Sequence, residues 1–222
     1  MDQDQWTAVD SYTNSLLIPH DPVLDAASGM SREVGLPGVE VAPNQGMLLH
    51  LLARIRGARS ILEIGTFGGY STIWLARALP AGGRLVTIES GIVFAEAARD
   101  TIERAGLSDV VDQRVGRALD VLPQLEAEGV GPFDLFFIDA DKAGIPEYFT
   151  WALRLSRPGS VMVVDNVVLG GAITDPANTD PGVGGARRFH ELLAGEPRVT
   201  ATTVQTVGAK GYDGFTLVVV DS

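Results

Sequence analysis

The chain has 222 residues, 45% hydrophobic and 20% charged, which suits one sizeable α/β domain spanning residues 1–222 better than two small ones. A formal charge of −11 disfavours a nucleic-acid partner, and the absence of cysteine excludes disulfides, thiolate metal sites and a thiol nucleophile. No run approaches the roughly 18 apolar residues of a membrane span, and Asp2, Asp4 and Asp10 precede the first basic residue, Arg32, unlike a signal peptide, so a soluble, cytoplasmic protein is expected.

Residues 1–43 are the least regular part. Trp6, Val9 and Tyr12 fit a helix, after which Pro19, Pro22, Gly35 and Pro37 break the chain repeatedly. Asn44 is a plausible N-cap for an amphipathic helix carrying Met47, Leu48, Leu51, Leu52 and Ile55. Strand and helix patterns then alternate. Ser60–Ile64 reads as a strand, Tyr70–Leu79 as a helix, Leu85–Ile88 as a strand and Val93–Arg104 as a helix closed by Gly106. Val110–Val115 is a weaker strand before a helix at Ala118–Ala127. The runs Phe133–Ile138 and Val161–Val164 are continuously apolar, as strands covered on both faces are. Helices are expected at Tyr148–Leu155 and Arg187–Leu193. Two β-rich runs, Val199–Val207 and Phe215–Val220, close the chain. The short Gly208–Gly214 stretch between them calls for an antiparallel hairpin, since a parallel crossover needs a dozen or more residues. The alternation predicts a doubly wound, mostly parallel sheet with helices on both faces.

Ligands of such sheets sit beyond the carboxyl ends of the strands. Four predicted strands end in acids there: Glu63, Glu89, Asp139 and Asp165. The first strand runs into a turn with Gly65, Gly68 and Gly69. Phe67 occupies the place where a dinucleotide fingerprint needs its second glycine, so a diphosphate fits poorly and an NAD-dependent dehydrogenase is disfavoured. Glu63 before the turn suits a cationic ligand such as S-adenosylmethionine, and Glu89, 26 residues on, has the place of a ribose-binding acid. The plainer alternative is a tight turn flanked by two solvated acids.

Asp139 and the pair Asp165–Asn166 end adjacent predicted strands. Two carboxylates and an amide suit a hard cation, Mg²⁺, Mn²⁺ or Ca²⁺; a simple turn with a helix cap is the competing reading. Lys142, three residues beyond Asp139, can face the same pocket and serve as a base. His20, His50 and His190 are scattered and read as solvated or structural. No G-x-S-x-G elbow is present.

Together the segments VEVAPNQGMLLHLLARI, ILEIGTFGGYSTIWLARALP, LVTIES, FDLFFIDADK and VMVVDNVVLGGAI resemble the cation-dependent, S-adenosylmethionine-dependent O-methyltransferases. That group includes catechol and caffeoyl-CoA O-methyltransferases, and the likeness to its small bacterial members covers nearly the whole chain. It implies a Rossmann-like class I methyltransferase fold, a seven-stranded sheet with the C-terminal antiparallel hairpin. Residues 1–43 would form a helical lid and dimer segment on a core of 44–222, with Val167–Gly185 sharing in the lid. It implies cofactor contacts from Val41, Glu63, Gly65, Thr66, Ser71, Glu89, Ala118 and Asp139, metal ligation by Asp139, Asp165 and Asn166, and Lys142 as catalytic base. The implied partners are a small phenolic acceptor with vicinal hydroxyls and a second copy of the chain. Three stretches depart from the family pattern: Arg117 beside Ala118, the long QTVGAKGYDG segment, and the variable loop Thr174–Gly185. Methyl transfer to another acceptor without a metal, and a nucleoside-binding protein without turnover, remain the alternatives.

Overall fold

The computed structural model describes residues 2–33 and 39–222. Helices α1 (Gln3–Leu17), α2 (Pro22–Glu33) and α3 (Pro43–Arg56) precede a seven-stranded sheet. The strands are β1 (Ser60–Ile64), β2 (Arg84–Glu89), β3 (Val111–Val115), β4 (Leu135–Ile138), β5 (Val161–Asp165), β6 (Val199–Gly208) and β7 (Gly211–Val220), in the spatial order β3-β2-β1-β4-β5-β7-β6. The first five run parallel, whereas β7 pairs antiparallel with both β5 and β6. Helices α4 (Tyr70–Ala76), α5 (Ile92–Arg104), α6 (Ala118–Ala127), α7 (Ile145–Arg154) and α8 (Pro181–Gly195) connect the strands. No helix among the described residues is long and apolar enough to cross a membrane.

Alternation along each strand divides the core between two faces. Leu62, Ile64, Phe136 and Ile138 pack with Leu122, Leu125, Phe149 and Phe189 from α6, α7 and α8. Ile61, Leu85, Leu135 and Phe137 point the other way, toward Leu49, Ala53, Ile73 and Leu75 of α3 and α4. Every residue of β4 is buried, which explains its uninterrupted apolar sequence. Just before β4, Asp134 is 2% exposed. Its carboxylate accepts from the N–H groups of Arg59 (2.8 Å) and Ser60 (3.2 Å) and pairs with Arg56 and Arg157, tying the start of β1 to its neighbours. Those partners hold its carboxyl below the ordinary value although burial opposes them.

Several boundaries differ from the sequence expectation for identifiable reasons. Pro22 begins a helix instead of breaking one, because the Asp21 carboxylate accepts from the N–H groups of Val23 and Leu24 and a proline at N1 loses no hydrogen bond. The breaks expected at Gly35 and Pro37 lie outside the described residues. Ala42, not Asn44, caps α3, with Pro43 at N1; the Asn44 amide instead donates to Asp10 Oδ1 at 3.1 Å. Helix α4 stops at Ala76. Helix α7 starts at Ile145, ahead of the expected Tyr148, with Pro146 in its first turn. Helix α8 starts six residues before the expected Arg187, capped by Asp180, whose carboxylate accepts from Gly182 and Val183. The segment QTVGAKGYDG is no extended loop: β6 and β7 pair up to Gly208 and Gly211, leaving Ala209–Lys210 as the turn. Gly211 supplies the positive φ (96°) by which the chain leaves it.

Candidate functional site

Strand order reverses between β1 and β4, and the crevice there opens at their carboxyl ends. Gly65 follows β1 with φ 103°, and a Cβ at this position would overlap the carbonyl oxygen of Asp139, which follows β4. The close approach of the two chains therefore requires glycine. Phe67 adopts a positive φ of 47°, a conformation uncommon for an aromatic residue, and is held by two contacts. Its N–H donates to Glu89 Oε2 at 2.8 Å, and its ring meets Phe94 with centroids 4.9 Å apart. Glu89 Oε1 accepts from the Gly91 N–H at 2.8 Å, so both oxygens are anchored at the end of β2.

A cavity of about 700 Å³ lies over this turn. Val41, Gly65, Thr66, Ser71, Glu89, Ala118 and Asp139 line it, as do Arg117, Lys142 and Asn166. Glu63 is placed differently. It is fully buried beneath the turn, and its carboxylate accepts from Ser71 (2.6 Å), Thr72 (2.5 Å) and Thr87 (2.7 Å). It braces the first turn of α4 from below while Ser71 reaches the cavity. Burial raises its pKa to about 7, with the nearby Asp139 charge adding to the shift and the three hydroxyls opposing it.

A second cavity of about 430 Å³ lies between α3 and the β6–β7 hairpin. It shares Val39, Val41, Asp139 and Asn166 with the first, whereas Asp165 lines the second and not the first. The two spaces thus meet where the sequence placed a cation. Asp165 is 4% exposed. Its Oδ2 accepts from Gln45 Nε2 at 2.6 Å and its Oδ1 from the Asn166 N–H at 2.9 Å. Burial and the charge of Asp139 raise its pKa to about 7. Asn166 holds a left-handed conformation (φ 52°) that asparagine tolerates better than most residues. Among the described residues no group of three or more His, Cys, Asp or Glu side chains is assembled for a metal. The set here is two carboxylates and an amide, oxygen donors suited to a hard divalent cation, whose charge would relieve the repulsion between the acids.

Lys142 opens a single 3₁₀ turn, Lys142–Gly144, and its Nζ donates to Asp139 Oδ1 at 2.6 Å. Asp141 caps the turn through the Gly144 N–H (2.9 Å) and also accepts from the Tyr148 hydroxyl. Helix α8 packs against it so closely that a Cβ on Gly185 would overlap the Lys142 carbonyl oxygen. The three histidines line neither cavity; His50 meets the Trp74 carbonyl and His190 that of Ala186.

Sequence reasoning missed Gln45, Tyr148 and Asp213. Gln45 reaches Asp165 across 120 residues, and no local pattern marks such a pair. Tyr148 lies seven residues from Asp141, on a helix whose start had been set too late. Asp213 lay in what read as a loop.

A parallel sheet of this order, with its antiparallel hairpin and glycine turn at the switch point, is the Rossmann-like architecture of methyltransferases. The family model described as O-methyltransferase matches residues 20–220, and the chain belongs to that family. A catechol O-methyltransferase of Niastella koreensis is 50% identical over 220 residues, covering 99% of this chain and all of that protein. The O-methyltransferase TomG of Streptomyces achromogenes, involved in tomaymycin synthesis and solved in complex with SAM, is 62% identical, with a TM-score of 0.98 over the whole of both chains. An O-methyltransferase of Bacillus cereus in complex with SAH is 55% identical with a TM-score of 0.97, over 99% of this chain and all of that one.

Proposed function

We propose that this protein transfers the methyl group of S-adenosylmethionine to one hydroxyl of a vicinal diol on a small phenolic acceptor. The observation that carries the reading is the junction of two cavities at Asp139 and Asn166, with Lys142 hydrogen-bonded to Asp139. The larger cavity takes the methyl donor. Gly65, Thr66 and Ser71 line its methionine end, Val41 contributes backbone, Glu89 faces the ribose and Ala118 the adenine; Glu63 holds Ser71 in place. SAM and SAH in the two related structures support that assignment.

Asp139, Asp165 and Asn166 would hold a divalent cation, Mg²⁺ before Mn²⁺ or Ca²⁺. When bound it would supply positive charge that acidifies a neighbouring hydroxyl. Lys142 Nζ is placed to take or share the acceptor proton, and Asp139 Oδ1 keeps it at the junction. The acceptor oxygen forms its bond to the methyl carbon as the carbon–sulfur bond breaks, leaving a neutral thioether. Positioning is the main contribution of the protein to such a transfer. Within the described residues, 2–33 and 39–43 together with Val167–Gly185 would cover the site as a lid and exclude water. Val9, Tyr12 and Leu16 form an exposed apolar stripe on α1, with Val9 at 56% and Leu16 at 65% exposure, which supports a homodimer through the N-terminal segment.

The test is transfer of labelled methyl from S-adenosylmethionine to caffeate with Mg²⁺, repeated with excess EDTA and with Asp139→Ala. Product lost in both controls supports the reading. Product indifferent to EDTA removes the cation and favours a metal-independent transferase; donor binding without product on any diol favours a non-catalytic nucleoside-binding protein.

A further inference from the structure

Asp213, on β7 close to the hairpin turn, lines the second cavity without a part in methyl transfer. Its Oδ1 accepts from three N–H groups: Val168 at 3.1 Å, Leu169 at 2.9 Å and its neighbour Gly214 at 2.8 Å. Two of these donors belong to the segment that leaves β5, 45 and 44 residues away along the chain. The Val167 N–H donates to the Gly214 carbonyl at 3.0 Å, so three successive amides after Asn166 are bound to β7.

That segment has an unusual backbone. Asn166 has φ 52° and Leu169 φ 54°, and Gly170 and Gly171 follow at 62° and 89°. Left-handed backbone is uncommon for residues with a Cβ, and a leucine has no polar side chain to support it locally. Such conformations persist only where the surroundings over-determine them. Asp213 does this directly at Leu169 and, through Val168, two residues from Asn166. Packing adds to the hold. Val167 and Val168 are buried, and a Cβ on Gly214 would overlap the Val204 carbonyl oxygen and a methyl of Val168. The far half of the loop is gripped separately. Arg187 of α8 donates to the carbonyls of Ala172 (3.2 Å), Ile173 (2.9 Å), Asp175 and Asn178 (3.2 Å).

We propose that Asp213 is a positioning residue of the cation site: by fixing the turn from Asn166 to Leu169 it holds Asn166 at the junction with Asp139 and Asp165, and so sets the affinity for a divalent cation. This rests on the reading of Asp139, Asp165 and Asn166 as cation ligands. Outer partners that orient a ligand typically carry about 10–100-fold of metal affinity. Asp213 does so through the main chain, because Asn166 leads straight into the amides that it binds. Its negative charge strengthens each of those bonds.

The test measures Mn²⁺ binding to the full chain by loss of the free-ion EPR signal, taking as site-bound the part absent in Asp139→Ala. Asp213→Leu, similar in size but without an acceptor, should lower that affinity by about tenfold or more. Asp213→Asn keeps an acceptor oxygen and should recover most of it. Arg187→Met loosens only the far half of the loop and should leave the affinity close to that of wild type. Should Asp213→Leu fail to fold, Asp213→Ser, too short to reach both loop amides, takes its place. The Val168 and Leu169 amides should also exchange with deuterium faster in these variants than in wild type. Unchanged Mn²⁺ affinity, unchanged exchange, or an equal loss of affinity in Arg187→Met overturns the proposal. Wild type without site-bound Mn²⁺ overturns the cation reading and this proposal with it, whereas site-bound Mn²⁺ indifferent to Asp213 overturns this proposal alone.

Discussion

At the scale of single residues, Glu63 and Asp165 are buried carboxyls that hold their protons to about pH 7 against different neighbours. Glu63 is surrounded by three hydroxyls, Asp165 by Gln45 and the charge of Asp139. Folded Glu63 binds its proton more tightly than the unfolded chain, where the value is 4.5. Its contribution to stability is therefore complete below about pH 4.5 and is lost as pH rises through about 7. Glu63→Gln removes that titration, so its urea midpoint should fall less steeply between pH 4.5 and 7 than that of wild type; parallel curves would assign the slope to other groups. Lys142 supports a second prediction. Lys142→Met should lower kcat by roughly 10²–10⁴-fold, the range of a lost general base. That is a larger effect than on S-adenosylhomocysteine affinity by calorimetry, which shifts because Lys142 also lines the donor cavity. An unaltered kcat would take Lys142 out of the proton transfer.

At the scale of elements, α8 explains why Lys142 stands where it does. The Gly184–Gly185 pair disguised this helix in the sequence, because glycine costs about 1 kcal/mol in a helix interior. The fold accepts that cost because Gly185 lies against the Lys142 carbonyl, where no side chain fits. Gly185→Ala should push the 3₁₀ turn out of position and reduce kcat by at least about tenfold, since small misplacements of a catalytic group cost about that much or more. Donor affinity, measured in parallel, should weaken as well, because Lys142 and Gly144 of that turn line the donor cavity. Wild-type kcat in this variant would show that the turn tolerates displacement. Pro22 makes the same point about helix starts: it reads as a break in isolation and becomes an N1 residue once the Asp21 carboxylate caps the helix.

At the scale of the molecule, the acids at the ends of β1, β2, β4 and β5 gather on one edge because parallel strands share a direction. The N-terminal helices and the C-terminal hairpin complete the second cavity from opposite ends of the chain. The exposed stripe Val9, Tyr12, Leu16 leaves α1 with an apolar outer face. Leu16→Glu should convert the expected dimer to a monomer by light scattering. A monomeric wild type would leave that stripe facing solvent.

The β1–α4 turn, the carboxylates after β4 and β5, and Lys142 were legible because strands buried on both faces are written as unbroken apolar runs. Whatever follows such a run in a doubly wound sheet lies at the binding edge. Polar and glycine-rich stretches carried no such mark. The brace role of Glu63, the hold of Gln45 on Asp165 and the grip of Asp213 on the turn after Asn166 depend on contacts between separate segments. Hydrophobic periodicity determined which residues reach the binding edge. Only tertiary packing decided which of them face a cavity and which stand beneath it, because hydrogen bonds to partners far along the chain leave no local pattern.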